Sequence, residues 1–543
     1  FPYTTLFRSC GTIRPAPVAL NTDAEVTRRY VAGVPDDAVY NNLNGLFFLP
    51  PLQPAYSSAD GTSFDGITRD GFLGAVNSTW DIGGSGYVLS LNAQGRAEED
   101  YFGTDSDHSG VNWFFFTPPI AGLEPFLANT SRGETQDVSF EAKLESPSDR
   151  NFRWAFGAYY YDQTQKNFDI TFNDTQIGSP TNTLTTTNEA IFGLIEYDFS
   201  PALTVTLEAR YAEEEKTRTE FTGGAVSLEQ EATFDSFTPR LTVDYVLPNG
   251  ATLYGVYAQG VKPGGLNGSD GNTVGQDVYD QEESDNFEIG YKSALLGDTA
   301  TLTASAFFTD ASDVQVTQSV ANTSGSAVNS VAVNQAGAEI WGLELAWNHA
   351  PSSFFNYALT YAYTNPEFTE GCDDFQWTLT SGGGVLDPGS SAPGTGTEFF
   401  GQTGDCNIAG NRLPLTSEHQ FSAFGELRAP IGAGGWEWYA QSDVTYESSK
   451  FVQVHNLAET GDATLVGARL GLENERFALE LWGRNLSDED SIVMATRWFQ
   501  VPYLASSFSP NIAPAGAASG GPRAFFGTLR KGPSVGVEAR LRF

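Results

Sequence analysis

Three cysteines and four histidines are the side chains of this 543-residue chain best suited to covalent or metal chemistry, and their spacing limits what they can do. Cys372 and Cys406 share one stretch rich in Gly, Ser and Pro, which predicts a disulfide closing an exposed loop in an oxidising compartment. Such a closure stabilises by about 3 kcal/mol when unstrained. A metal site at Cys372, Asp373 and Asp374 lacks further ligands at useful spacing. His108, His349, His419 and His455 stand in neither a metal nor a triad spacing. Glycine-rich segments follow loops instead of leading a strand into a helix, so no phosphate cradle is expected. No catalytic residue, metal ligand or cofactor is assigned. Better candidates for substrate contact are aromatic clusters between the regular segments: Trp113, Phe114, Phe115 and Phe116, Trp377, Phe399 and Phe400, and Trp498 and Phe499. Packing of those loops upon themselves is an equal reading.

The elements that must carry these loops alternate with a period of two. Leu203, Val205, Leu207, Ala209 and Tyr211 alternate with Thr204, Thr206, Glu208, Arg210 and Ala212. Ala300, Leu302, Ala304, Ala306 and Phe308 do so with Thr301, Thr303, Ser305 and Phe307, and Phe287, Ile289 and Tyr291 with Glu288, Gly290 and Lys292. The chain ends in the same way, Val535, Val537, Ala539 and Leu541 against Gly536, Glu538, Arg540 and Arg542, before a terminal Phe543. In a strand this gives one face fit for hydrocarbon and one fit for water. A soluble sandwich also alternates, but it buries its apolar face. Tyr211, Phe308, Tyr291, Phe152, Trp154 and Trp438 near strand ends suit the interfacial girdles of a membrane barrel.

Short turns, at Gly83 to Gly86, Ser148 to Asn151, Pro201, Pro248 to Gly250, Gly297 to Asp298, Pro351 to Ser353, Gly432 to Gly435 and Glu473 to Arg476, alternate with long excursions. Short turns on one rim and long loops on the other predict an all-β fold, an antiparallel transmembrane β-barrel of the outer-membrane type. The count is about 17 strands, the first near Gly71 to Ile82, out of about 22 in a closed barrel of the larger kind. Residues 71–543 form the barrel and 10–70 a long outer loop or a remnant of missing strands. Phe1 to Ser9, F-P-Y-T-T-L-F-R-S, reads like a translated sequencing-library adapter. With no initiator Met and no signal-peptide pattern, the expectation is a fragment. Its wall should be open, with edges at the strand near Gly71 and at the final strand. No apolar run approaches the ~18 residues of a spanning helix. The formal net charge of −38 argues against nucleic acid and suits water-facing loops.

Five pieces in order resemble the barrel of TonB-dependent receptors. Phe237 to Leu241 (F-T-P-R-L) leads into Tyr254 to Asn267 (Y-G-V-Y-A-Q-G-V-K-P-G-G-L-N), with Val261 where an aromatic is usual. Asn286 to Leu296, Phe307 to Val316 and Leu481 to Asp488 (L-W-G-R-N-L-S-D) follow, and the chain closes on Phe. The resemblance implies a 22-stranded outer-membrane barrel of a Gram-negative bacterium, with a plug and an energy-coupling box that this sequence lacks. It further implies active transport of a scarce nutrient, ferric siderophore by default. The implied partners are the TonB complex of the inner membrane, the barrel-assembly machinery through Phe543, outer-membrane lipid and a small-molecule ligand. Lumen-facing Glu208, Arg210, Glu288, Lys292, Glu344, Arg469 and Arg484 would pair with the plug or with neighbouring strands. Lys262, Pro263, Gly264 and Gly265 read chiefly as a structural exit from a strand, and secondarily as a ligand contact. The alternatives are a passive porin-like channel and, less favoured, an outer-membrane hydrolase.

Overall fold

The computed structural model describes residues 66–105, 128–170, 180–321, 328–381, 396, 403–432, 434–456, 458–499 and 523–542. In chain order the elements are β1 (Gly66–Asp81), β2 (Val88–Asp105), β3 (Ala128–Glu145), β4 (Phe152–Ile170), β5 (Asn182–Ser200), β6 (Leu203–Thr222) and β7 (Ala225–Val246). Next come β8 (Thr252–Lys262), β9 (Gly265–Leu266), α1 (Gly268–Val274), β10 (Val278–Tyr279), β11 (Glu282–Leu295), β12 (Ala300–Ala321), β13 (Val328–His349) and β14 (Phe355–Glu370). The last are α2 (Asp374–Thr380), β15 (His419–Ile431), β16 (Trp436–Glu447), β17 (Ala463–Glu473), β18 (Phe477–Arg484), β19 (Ile492–Phe499), β20 (Arg523–Leu529) and β21 (Ser534–Leu541).

Among the described residues, 17 strands form one antiparallel sheet. Each pairs with the next in sequence, except that β8 passes to β11 and β18 to β21. Within that set β1 has only β2 as a partner and β21 only β18, so the strands expected as edges are the edges of the described wall. The short turns lie where the sequence placed them, all on one rim. The other rim carries the long excursions, β19 with β20 as a separate hairpin among them. One connection there is tight: β6 passes to β7 through Gly223 and Gly224, both at left-handed φ (59° and 82°), which glycine adopts without a Cβ clash.

The apolar rows lie on the outer face, open to the surroundings. Val535 is 72% exposed, Val537 69% and Leu207 54%, a distribution that a soluble sandwich, with this row in its core, does not allow. Lipid removes that cost, roughly 1.5–3 kcal/mol per large side chain. The girdle residues refine the expectation. Tyr211 opposes Ile191 and Phe237, while Phe287 opposes Tyr257 and Phe308, and Phe308 opposes Trp341. Tyr211 and Phe308 are not near strand ends, because β6 continues to Thr222 and β12 to Ala321.

Two residues beyond that aromatic row, the same outward face turns acidic. Glu189 opposes Glu213, which opposes Asp235; Asp285 opposes Asp310, which opposes Glu339, which opposes Glu367. Like charges directly opposite each other repel. They are tolerable where water and salt screen them and not in hydrocarbon. The lipid therefore ends between the two rows. On β6 it covers Leu203 to Tyr211, a length suited to the ~9–11 residues of a membrane strand. The strands stand above it in water.

Candidate functional site

The inner face of the wall carries a polar ladder in which nearly every ionic group has a neighbour. Arg428 donates from Nη1 to Glu473 at 2.5 Å and Glu437 at 3.2 Å, and from Nε to Glu426 at 3.3 Å. Glu480, 5% exposed, accepts from the Tyr439 hydroxyl at 2.6 Å and pairs with Arg469 at 3.4 Å. A carboxylate so far removed from water needs such partners. Tyr439 lies flat over Gly471 of the adjacent strand, where a Cβ would stand 2.1 Å from the ring. Glycine at that position is what lets the ring reach Glu480.

The lumen-facing residues picked from the sequence fall on this face. Glu208 pairs with Arg240 at 3.4 Å, and Arg210 donates to the Asn188 side chain at 3.1 Å. Glu288 accepts from the Tyr254 hydroxyl at 2.5 Å, and Lys292 stands 4.6 Å over the Tyr254 ring. Glu344 joins Glu288 and Lys292 in lining a cavity of about 630 Å³ along β8 and β11 to β17, which Arg530 bounds on the far side through its ion pair with Glu447. Arg484 stacks on Trp482 at 5.0 Å.

The Lys262–Asn267 segment turns inward and is tied to the wall. Gly264 accepts from Lys216 Nζ at 2.7 Å, and a Cβ on Gly264 would sit 2.3 Å from both Phe234 and the Tyr279 carbonyl. The side-chain amide of Asn267 donates to Gln276 O and Ala332 O and accepts from Ala332 N, each at 2.8 Å. Asn334 reaches Asp280 and Asp313, and Gln315 reaches Pro263. Together they hold β9, α1 and β10 across β6, β7, β12 and β13. Lys262 itself is exposed and pairs with Glu282 at 3.7 Å. The geometry is that of a structural strap. Only the K-P-G-G signal was visible in sequence; the asparagine partners lie 54 to 65 residues away and left no local trace.

At the outer rim Cys372 and Cys406 are joined by a disulfide, buried with Trp377, which is 0% exposed. Trp377 is thus core of its own loop and not a surface for ligand in this structure. Asp373 caps α2 by accepting from Gln376 N at 2.9 Å. The D-x-x-Q pattern at Asp373 to Gln376 was a capping signal available to sequence reading. This loop packs its Ile408 together with Phe368 of β14 on Ala336 and Ala338 of β13. It locks to the next loop through Arg412 N to Asn456 Oδ1 at 2.6 Å, Asn456 Nδ2 to Arg412 O at 2.9 Å and Asn411 Nδ2 to Val454 O at 2.9 Å. The result is a braced platform over β14 to β17. In it, burial pushes the Lys450 ammonium below its ordinary pKa. Between β18 and β19, amides of Thr464 and Ser491 hold the Glu489 carboxyl below its usual range.

Trp113, Phe114, Phe115, Phe116, Phe399, Phe400 and Phe543 lie outside the described residues, as do Cys10 and His108. Trp498 and Phe499 fall on β19, opposite Ala524 and Arg523. The described histidines are not brought together. His349 meets the Tyr357 hydroxyl at 3.2 Å, His419 meets the Tyr361 hydroxyl at 3.0 Å, and His455 is buried in the loop platform.

An antiparallel wall, greasy outside and polar inside, with short turns on one rim and braced loops on the other, defines an outer-membrane β-barrel protein. A family model described as TonB dependent receptor-like, beta-barrel, matches residues 17–486, and the chain belongs to that family. It is a protein of the Gram-negative outer membrane. Similar solved structures include the ferric yersiniabactin uptake receptor FyuA from Yersinia pestis, with TM-score 0.61 and 15% identity over 89% of this chain and 63% of that one. The siderophore receptor PiuA from Acinetobacter baumannii gives TM-score 0.60 and 15% identity over 88% and 64%. The ferric-catecholate import receptor Fiu from K12 E. coli gives TM-score 0.56 and 15% identity over 88% and 65%. The chain thus spans less than two-thirds of the length of these receptors.

Proposed function

We propose that the chain is the wall of an active transporter that carries a scarce nutrient, by default a ferric siderophore, across the outer membrane. The energy comes from the inner-membrane TonB complex, acting through a plug region that is not among the described residues. The observation that carries this reading is the family match over residues 17–486 on a wall of 17 strands in register. The likeness to FyuA, PiuA and Fiu, a ferric yersiniabactin uptake receptor, a siderophore receptor and a ferric-catecholate import receptor, supports the cargo. The inner face supports transport in physical terms: most of its charges are held in ion pairs, hydrogen bonds or ring contacts, so the wall offers a rigid polar lining. The braced platform of β14 to β17 would hold the outer loops for ligand capture, with Trp113, Phe114, Phe115, Phe399, Trp498 and Phe499 as contact candidates. A receptor role, not catalysis, is the family's business.

The test is accumulation of labelled ferric siderophores by cells expressing the intact gene, with and without a functional TonB complex. Uptake that requires TonB supports the proposal. Ohmic conductance of the full-length protein in planar bilayers, with uptake indifferent to TonB, would replace it by a passive channel.

A further inference from the structure

The part of the wall that stands in water has a notch. β7 pairs with β8 from Val246 up to Arg240 and no further, although β7 runs on to Ala225 and β8 to Lys262. The next residue on β7 is Pro239, which has no N–H to give to a ladder. β8 and β11 end together at Lys262 and Glu282, and β11 pairs with β12 only as far as Ser312. On either side the wall continues. β6 and β7 stay paired up to Thr222 and Ala225, and β12 and β13 up to Ala321 and Val328. Two hairpins therefore stand apart, and among the described residues no strand pairs with the facing edges 225–239 and 313–321. The ion pair of Lys262 with Glu282 forms the floor of the gap.

The strap of β9, α1 and β10 crosses this gap on the inner side and holds both hairpins. On the side of β6 and β7, Glu220 accepts from Ser269 N at 3.2 Å. The Gln230 side chain there accepts from Gly268 N at 2.9 Å and donates to Asp277 Oδ1 at 3.1 Å. On the side of β12 and β13, the Asn334 side chain accepts from Asp280 N at 2.7 Å, in addition to the bonds of Asn267 and Gln315. Val274 of α1 packs there with Val316 against Val331 and Val333, which are 1% and 4% exposed. A side chain on Gly265 would collide with Tyr279, since its Cβ would stand 2.2 Å from the hydroxyl. Bonds to both flanks, a buried apolar contact and a glycine that admits no Cβ are the marks of a docked part of the wall. The ties on the β13 side are neutral amides on backbone groups and an apolar contact, so that joint does not depend on the charge of a cargo.

We propose that the strap is a fixed clasp: it closes a side window in the standing wall and keeps the β6–β7 and β12–β13 hairpins at one spacing throughout transport. The proposal rests on the transporter reading and adds a division of labour to it. Cargo enters through the open top of the wall, and movement on capture belongs to other parts of the rim.

The experiment uses the full-length protein. Nitroxide pairs at Asn272→Cys with Thr233→Cys, and at Asn272→Cys with Glu339→Cys, report the distance of α1 from each hairpin in lipid vesicles by pulsed dipolar spectroscopy. Each pair should give one narrow distance; a broad or double distribution in either overturns the clasp. In cells, Q230C/D277C and N334C/D280C are each joined by a short, reducible bis-methanethiosulfonate. TonB-dependent accumulation of labelled ferric citrate, ferrioxamine B or ferric enterobactin, whichever the wild type takes up, should be unchanged by either link. A loss of accumulation that reduction restores overturns the proposal, because the strap then has to move. Failure of either pair to link also overturns it, since the native groups lie within 3.1 Å. If the wild type shows no TonB-dependent accumulation of any probe, the transporter reading fails instead, and the nitroxide distances alone decide the clasp.

Discussion

Replacing Leu207 by Arg should destabilise the protein in a bilayer far more than replacing Glu213 by Arg, although both lie on the outer face of β6. Leu207 is midway between Leu203 and Tyr211, where the lipid-covered belt begins and ends, and its direct neighbours are Ile195 and Leu241. Four residues at about 3.3 Å each, on a strand tilted by about 40°, put it roughly 10 Å from either boundary, near the bilayer midplane. An Arg at that depth on a barrel costs about 2–4 kcal/mol. Glu213 stands beyond Tyr211 and opposes Glu189 and Asp235, so Glu213→Arg exchanges repulsion for attraction and should be neutral or slightly stabilising. The assay is reversible guanidinium unfolding of the full-length protein in lipid vesicles, read by tryptophan fluorescence. Equal effects of the two substitutions, each within about 0.5 kcal/mol as for ordinary water-exposed positions, would refute the placement of the membrane.

Other consequences follow from particular contacts. Asn267→Ala leaves Ala332 N and the carbonyls of Ala332 and Gln276 without their side-chain partner. It should cost about 1–3 kcal/mol and speed hydrogen exchange at Ala332, whereas exchange in β1 to β3 should not change. Cys372→Ser with Cys406→Ser removes a link closing a separation of 34 residues, a stabilisation of up to ~4 kcal/mol in the chain-entropy picture; limited proteolysis should then cut within 371–418 while the strands survive. Glu489, whose carboxyl titrates below the usual glutamate range in the folded protein, contributes stability that is complete above the unfolded pKa of ~4.3 and is lost as pH falls through the lower folded value. The exchange protection factors of the Thr464 and Ser491 amides, which donate to Glu489 at 3.0 and 2.9 Å, should fall on acidification in the wild type and be low at every pH in Glu489→Ala.

Much of the wall was legible because its signal is local. A two-residue period along Leu203 to Tyr211 or Val535 to Leu541 states which face meets lipid, and the short turns at Pro248 to Gly250 or Gly297 to Asp298 mark one rim. The extension of β6 to Thr222 and of β12 to Ala321 was not legible, since beyond the lipid both faces are polar and the alternation fades. The strap of β9, α1 and β10 was hidden for a different reason: Asn267, Gln315 and Asn334 act on backbone far away in sequence. Trp377 looked like a ligand contact because a loop aromatic is ambiguous until its burial against a disulfide is known.

The claim under all of this is a two-sided wall, and single nitroxide labels along Leu203 to Ala212 of the full-length protein in lipid vesicles test it most directly. Labels at 203, 205, 207, 209 and 211 should be relaxed by oxygen dissolved in the hydrocarbon, and those at 204, 206, 208 and 210 by a water-soluble nickel chelate or by neither reagent. Labels on the Leu203 row shielded from both reagents, or reached by the chelate as readily as the polar row, would contradict it.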